Sequence, residues 1–118
     1  FHFHAGGSTW AMLEGLPAAS IALVRLVDAD ARAPETLTDV DRLLPGDGVI
    51  PLRDLVRRVE ALGADVVYSV NLHVSAANGR DPRGYARWGA ERLTTVARES
   101  AEALCAEVDE QDGRLDYA

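Results

Sequence analysis

IALVRLV, residues 21–27, is a nearly continuous apolar run interrupted only by Arg25. Such a run suits a parallel strand buried on both faces. A second β-rich run, DVVYSVNL at 65–72, lies about forty residues on. Between them, Leu52, Leu55, Val56, Val59 and Leu62 recur at helical spacing, with Arg53, Arg57, Arg58 and Glu60 on the opposite face. Pro51 suits the first helical position and Gly63 the stop. Strand, helix, strand in this order predicts a parallel sheet with helices packed on it.

Upstream, residues 1–5 alternate aromatic and His before Gly6-Gly7, which reads as a strand running into a turn. On a strand, His2 and His4 would share a face and could together hold Zn²⁺ or Mn²⁺. Ser8 or Thr9 can cap a short helix from Trp10 to about Gly15. Downstream, residues 78–81 read as a turn and Asp81-Pro82 as a helix start. A long closing helix to about Val108 is expected to bury Tyr85, Trp88, Leu93, Val96 and Leu104. Residues 28–51 form a long irregular segment with five Asp, four of the turn-forming Pro and Gly being Pro34, Pro45, Gly46 and Gly48. Residues 37–44 could supply a helical turn within it. Loops of that length in compact domains usually carry function. In parallel α/β folds ligands sit beyond the C-terminal ends of strands, where Arg25 to Asp28 and Asn71 to His73 fall.

The 118 residues carry 12 basic and 19 acidic side chains, a net charge of −7. That balance argues against nucleic acid as a partner, since binding it takes a basic footprint. No apolar run reaches membrane-span length and no signal-peptide pattern opens the chain, so no membrane partner and a cytoplasmic location are expected. Phe1 rather than Met opens the sequence, as expected of a piece of a longer protein. The single Cys105 permits no internal disulfide and is expected to be an inert helical thiol.

Several segments together resemble the xylose isomerase-like TIM barrels, the superfamily of sugar phosphate isomerases and epimerases and of barrel endonucleases for damaged DNA. FHFHAGG at 1–7 resembles the sixth-strand end, and IALVRLVDAD at 21–30 the seventh strand. RLLPGDG at 42–48 resembles the Arg-x-x-Pro-Gly-x-Gly loop, and 52–72 the last helix-strand unit. The spacing of Arg42 and the Asp28-Ala29 pair lean toward the dehydroshikimate dehydratase branch. The resemblance implies an α/β fold, a partial TIM barrel of about the last three βα units, with residues 1–118 as one partial domain. A complete barrel takes about 250 residues. The acidic charge counts against the endonuclease branch.

The resemblance also implies a divalent metal, Mn, Mg or Zn, and proton transfer beside a carbonyl or hydroxyl. The two matched ligand positions are altered here. Arg25 stands where the family places His or Gln, and a guanidinium has no lone pair for a cation. Asn71 stands where the family places Glu, and loses the negative charge that hard cations favour. Metal binding is therefore expected to be weak or absent, with Asn71 a vestigial ligand. His2 matches the motif histidine and is expected, with Asp28, to be catalytic. Arg42 and Arg25 are expected to bind substrate, Arg42 as a bidentate clamp, Arg25 either there or in an ion pair with Asp28. The expected function is that of a sugar phosphate isomerase/epimerase-like protein acting on a small polyhydroxylated or keto-acid substrate. The rival expectation is a non-catalytic pseudoenzyme, or a truncated fragment serving in binding or assembly. Three strands cannot close a barrel, so self-association through an unpaired edge is expected.

Overall fold

A computed structural model describes residues 1–72 and 83–111. The order is α1 (His2–Ala5), α2 (Trp10–Glu14), β1 (Leu23–Arg25), α3 (Leu52–Ala61), β2 (Val67–Ser69) and α4 (Ala90–Gln111). β1 and β2 pair in parallel, with Leu23 opposite Val67 and Arg25 opposite Ser69. Main-chain bonds lengthen the ladder at both ends: Val67 N–H donates to Ala22 O at 3.1 Å and Leu26 N–H to Ser69 O at 2.7 Å. The expected parallel pair with an intervening helix is therefore present.

The pleat decides what each side of this sheet meets. Leu26 packs with Leu52 and Val56 of α3 and Leu104 and Val108 of α4, and Val24 and Tyr68 join the same cluster. Alternation puts Leu23, Arg25 and Val67 on the other side, where Leu23 is 49% and Val67 67% exposed. An open side with two bare aliphatic residues is what the inner wall of an unclosed barrel presents. α3 buries Leu52, Val56 and Val59, the expected stripe. Gly63, at φ +76°, closes the helix in the left-handed conformation and donates to Glu60 O at 3.0 Å. Pro51 precedes the helix as its N-cap instead of opening it.

Two expectations are corrected. Residues 1–5 are not a strand: Ala5 N–H reaches Phe1 O and Gly6 N–H reaches His2 O, both at 2.9 Å, so the segment coils into α1. Five residues with no neighbouring strand satisfy their amides locally, and alternation alone cannot prevent it. On a helix, residues two apart point about 200° apart, so His2 and His4 lose their shared face. The closing helix is also shorter than expected. Gly84 has φ +70°, residues Tyr85–Arg87 make a 3₁₀ turn, and Trp88 is extended at ψ 144°, so α4 begins only at Ala90. Tyr85 is still buried, in a second cluster with Leu43 and Leu44 that half-covers Trp88, Leu93 and Val96. Thr9 caps α2, accepting Met12 N–H at 3.3 Å. The turn at 78–81, the Asp81-Pro82 start and His73 lie outside the described residues.

Candidate functional site

The segment after β1 is held in place by the Asp28 carboxylate. Asp28 is 1% exposed, and three main-chain N–H groups converge on it. Ala29 and Ile50 donate to Oδ1 at 2.9 Å each, and Gly46 to Oδ2 at 3.0 Å. A two-residue antiparallel bridge between Asp28 and Leu43, 2.8 Å in both directions, adds the main chain to this clamp. A buried carboxylate is tolerable only with such donors. Arg25 is not among them. Its main chain pairs with Ser69 in the sheet, while its side chain has no hydrogen-bond or ion-pair partner among the described residues and leaves the sheet on the open side.

The Pro-Gly-x-Gly residues have separate reasons to be what they are. Gly46 sits at φ +93°, a conformation that costs L side chains energy. Gly48 passes so close to the strand end that a Cβ there would lie 2.1 Å from Ala29 O and 2.5 Å from Asp28 Oδ1. Gly48→Ala is therefore expected to cost about 3 kcal/mol, by backbone displacement in a packed site. A shift of the urea midpoint measures it, and a change below about 0.5 kcal/mol would contradict the close approach.

Three further groups fix the loop. Tyr85, 3% exposed, accepts Leu44 N–H at 3.0 Å and donates to the Asp47 carboxylate. Burial and that carboxylate push its phenol well above the usual range, so it stays a donor. Arg32 binds Asp30 bidentately at 2.9 and 2.8 Å and reaches Asp41 Oδ1 at 3.1 Å. The Arg32 hydrogen bonds hold the Asp30 carboxyl below the usual range. Asp41 and Thr38 form a capping box around the 3₁₀ turn Asp39–Asp41.

That turn delivers Arg42. Its side chain is 6% exposed, its Nη1 donates to the Asn71 carbonyl at 3.1 Å and its Nη2 to Asp39 Oδ1 at 2.9 Å. Nη2 also lies 3.1 Å from His2 Nε2. Guanidinium only donates, so this contact is a hydrogen bond in the tautomer whose Nε2 accepts; the same Nε2 lies 3.7 Å from Asp39 Oδ1. The Phe1 ring covers the guanidinium at 5.2 Å. Nε is buried without a partner. Of the five expected site residues, the fold thus joins Arg42, His2 and the main chain of Asn71 beyond the C-terminal ends of both strands. Arg25 shares with Arg42 and His2 the lining of one cavity of about 460 Å³. Asp28 lies behind the loop, with both oxygens engaged. His4 lines a different cavity.

Sequence reasoning did not identify Asp39, Arg32 or Tyr85 as parts of this site. Tyr85 read as core, and its polar partners are 38 and 41 residues away. The Asp-rich composition of residues 28–51 was the only available sign of the others. Burial, with Asp109 and Glu60 nearby, pushes the Cys105 thiol up, away from the reactive thiolate.

The two matched ligand positions in this chain are poor donors for a divalent cation. Arg25 cannot ligate one, and Asn71 offers at most a neutral side-chain carbonyl while Arg42 takes its main-chain oxygen. Among the described residues no three His, Cys, Asp or Glu converge as a metal site.

Parallel strands crossed by helices, with the polar residues gathered beyond the strand ends, define a partial barrel of the TIM type. No family model matches the chain. It is 31% identical over 104 residues to the inosose isomerase of Bacillus velezensis, an alignment covering 88% of this chain and 34% of that enzyme. It superposes with a TM-score of 0.78 and 28% identity on the IolI protein, whose crystal structure has a bound zinc atom, over 92% of this chain and 36% of that one. A xylose isomerase domain protein from Alicyclobacillus acidocaldarius subsp. acidocaldarius matches at TM-score 0.71 and 29% identity, with the same coverage. In sequence and in fold the chain is similar to the xylose isomerase-like TIM barrels, and it spans about a third of the length of these relatives. Among the described residues no helix is long and apolar enough to cross a membrane.

Proposed function

We propose that this chain supplies the substrate-side wall of a sugar isomerase/epimerase-like enzyme acting on a small polyhydroxylated ketone or keto acid. One observation carries the reading. A guanidinium 94% buried by its surroundings is held at the strand ends with an unpartnered Nε, on a loop that three main-chain bonds to Asp28 keep rigid. Nε is itself sealed from solvent, so what the site offers a developing oxyanion without displacement is a fixed positive charge beside the cavity. His2, with a free ring edge and 76% exposed, is the group for moving a proton beside that carbonyl. Asp28 acts on this reading by positioning the loop. Asn71 positions Arg42 through its carbonyl. The matched ligand positions hold no tight divalent metal.

Arg42→Lys is expected to weaken binding of an inosose to the full-length protein by about 1–3 kcal/mol, since lysine keeps the charge but loses the paired contacts to the Asn71 carbonyl and Asp39 that fix its position. Calorimetry reads this directly, and unchanged affinity would reduce Arg42 to a structural residue. A second reading, a non-catalytic barrel, is favoured by the altered Arg25 and Asn71 positions. Turnover of an inosose, or its absence, separates the two. On either reading β1 and β2 each keep an outer edge that pairs with nothing among the described residues. We propose self-association through these edges wherever no further strand covers them.

A further inference from the structure

Packing alone would be served by phenylalanine at position 85. The Tyr85 ring is buried with Leu43 and Leu44, and Val70, Leu72 and Trp88 pack against the same cluster. A hydroxyl carried into such a place costs free energy unless it is hydrogen-bonded. This one is bonded twice, and to one loop: it accepts Leu44 N–H at 3.0 Å and donates to the Asp47 carboxylate. Arg83, two residues earlier, donates from Nη2 to the Asp47 main-chain oxygen. Arg42 stands two residues before Leu44, and its Nη1 donates to the Asn71 carbonyl. The β1–β2 ladder runs as far as Leu26 N–H on Ser69 O. Past that point these side chains join the two strand-end segments. Asp28 ties the Arg42 loop to the end of β1. Tyr85 ties it to the chain that follows β2 and enters α4 at Ala90.

We infer that Tyr85 is a positioning residue for Arg42, its hydroxyl coupling the loop after β1 to the segment that enters α4. Asp28 holds one side of the loop and the tyrosine holds the other. Without the hydroxyl, Leu44 N–H is stranded in an apolar cluster, and the loop is free to turn about its Asp28 anchor. The turn carries the guanidinium away from the Asn71 carbonyl. The consequence for substrate rests on the reading of Arg42 as the substrate-side cation, whereas the coupling itself does not.

The test follows Arg42 itself in the full-length protein. Its Nε is sealed from solvent, so the Nε–H proton exchanges slowly and gives a resolved nitrogen–proton resonance, assigned by its loss in Arg42→Lys. Tyr85→Phe keeps the ring and should speed that exchange about tenfold or more. It should also lower the affinity for an inosose about threefold to tenfold, the size of one hydrogen bond. In an Arg42→Lys background the same substitution should lower affinity no further, since the effect runs through the guanidinium. A tyrosine that only fills the core leaves the Arg42 proton exchanging as before, and that result overturns the inference. An affinity loss of equal size in both backgrounds overturns it too. If Tyr85→Phe does not fold, Asp47→Ala keeps the tyrosine, removes its acceptor and must speed the same exchange. If no inosose binds the unaltered protein, the proposed function falls, while the exchange measurement still decides this inference.

Discussion

Asp28→Ala is expected to remove about 3–5 kcal/mol of stability, enough to unfold much of a typical domain of this size. The side chain contacts no ligand-facing group. Its loss leaves the N–H groups of Ala29, Gly46 and Ile50 without acceptors in a place where Asp28 itself is 1% exposed. Each stranded buried donor costs about 1–3 kcal/mol, reduced where water can enter the vacated space. Asp28→Asn is the sharper variant. It keeps the shape and one acceptor oxygen, but turns an NH₂ toward a main-chain donor, so it should fall between wild type and alanine. Urea unfolding of the three proteins measures the series. A loss below about 1 kcal/mol for alanine would show that the loop holds without the carboxylate.

The second large effect concerns metal. In full-length protein dialysed against buffer, elemental analysis is expected to find no stoichiometric Mn²⁺, Zn²⁺ or Mg²⁺ at this site. Arg25→His combined with Asn71→Glu should raise affinity by several orders of magnitude. The size comes from charge. At an effective dielectric of about 20, a unit positive charge about 4 Å from a divalent ion costs on the order of 8 kcal/mol, less whatever solvent screens. The double variant replaces that cation by an imidazole lone pair and adds one carboxylate. Stoichiometric metal in the unaltered protein would sink the proposal that these positions are vestigial. Asn71→Glu leaves the carbonyl that Arg42 uses in place, so the variant does not dismantle the neighbouring contact.

What could be read in the chain, and what could not, divides by the range of the interactions. The runs at 21–27 and 65–72 declare parallel strands by their apolar continuity, but the burial expected on both faces is not met in this chain, where Leu23 and Val67 stand exposed. The α3 stripe declares its helix through a local period, and Leu52, Val56 and Val59 are buried as expected. The RLLPGDG glycines were legible as a loop, though the reason for Gly48 lies 19 residues back, at Ala29. The partner of Asp28 was misread because spacing of three along a strand suggested Arg25, while the true partners are amides 18 and 22 residues on. Helix α1 shows the complementary failure. Its alternation is a genuine strand signal, but strand formation depends on a neighbour that five residues cannot specify. The association of His2 with Arg42, 40 residues apart, had no local sign at all.

The contact between Asp28 and Gly48 also constrains descent. Any side chain at position 48 strikes the carboxylate and the Ala29 carbonyl, so the glycine is required only while the strand end passes at that distance. Loss of the acid alone does not free the position, because the Ala29 carbonyl would still lie 2.1 Å from a Cβ at 48. A side chain at 48 therefore requires the strand end itself to move, so the glycine is expected to outlast the acid among this chain's descendants.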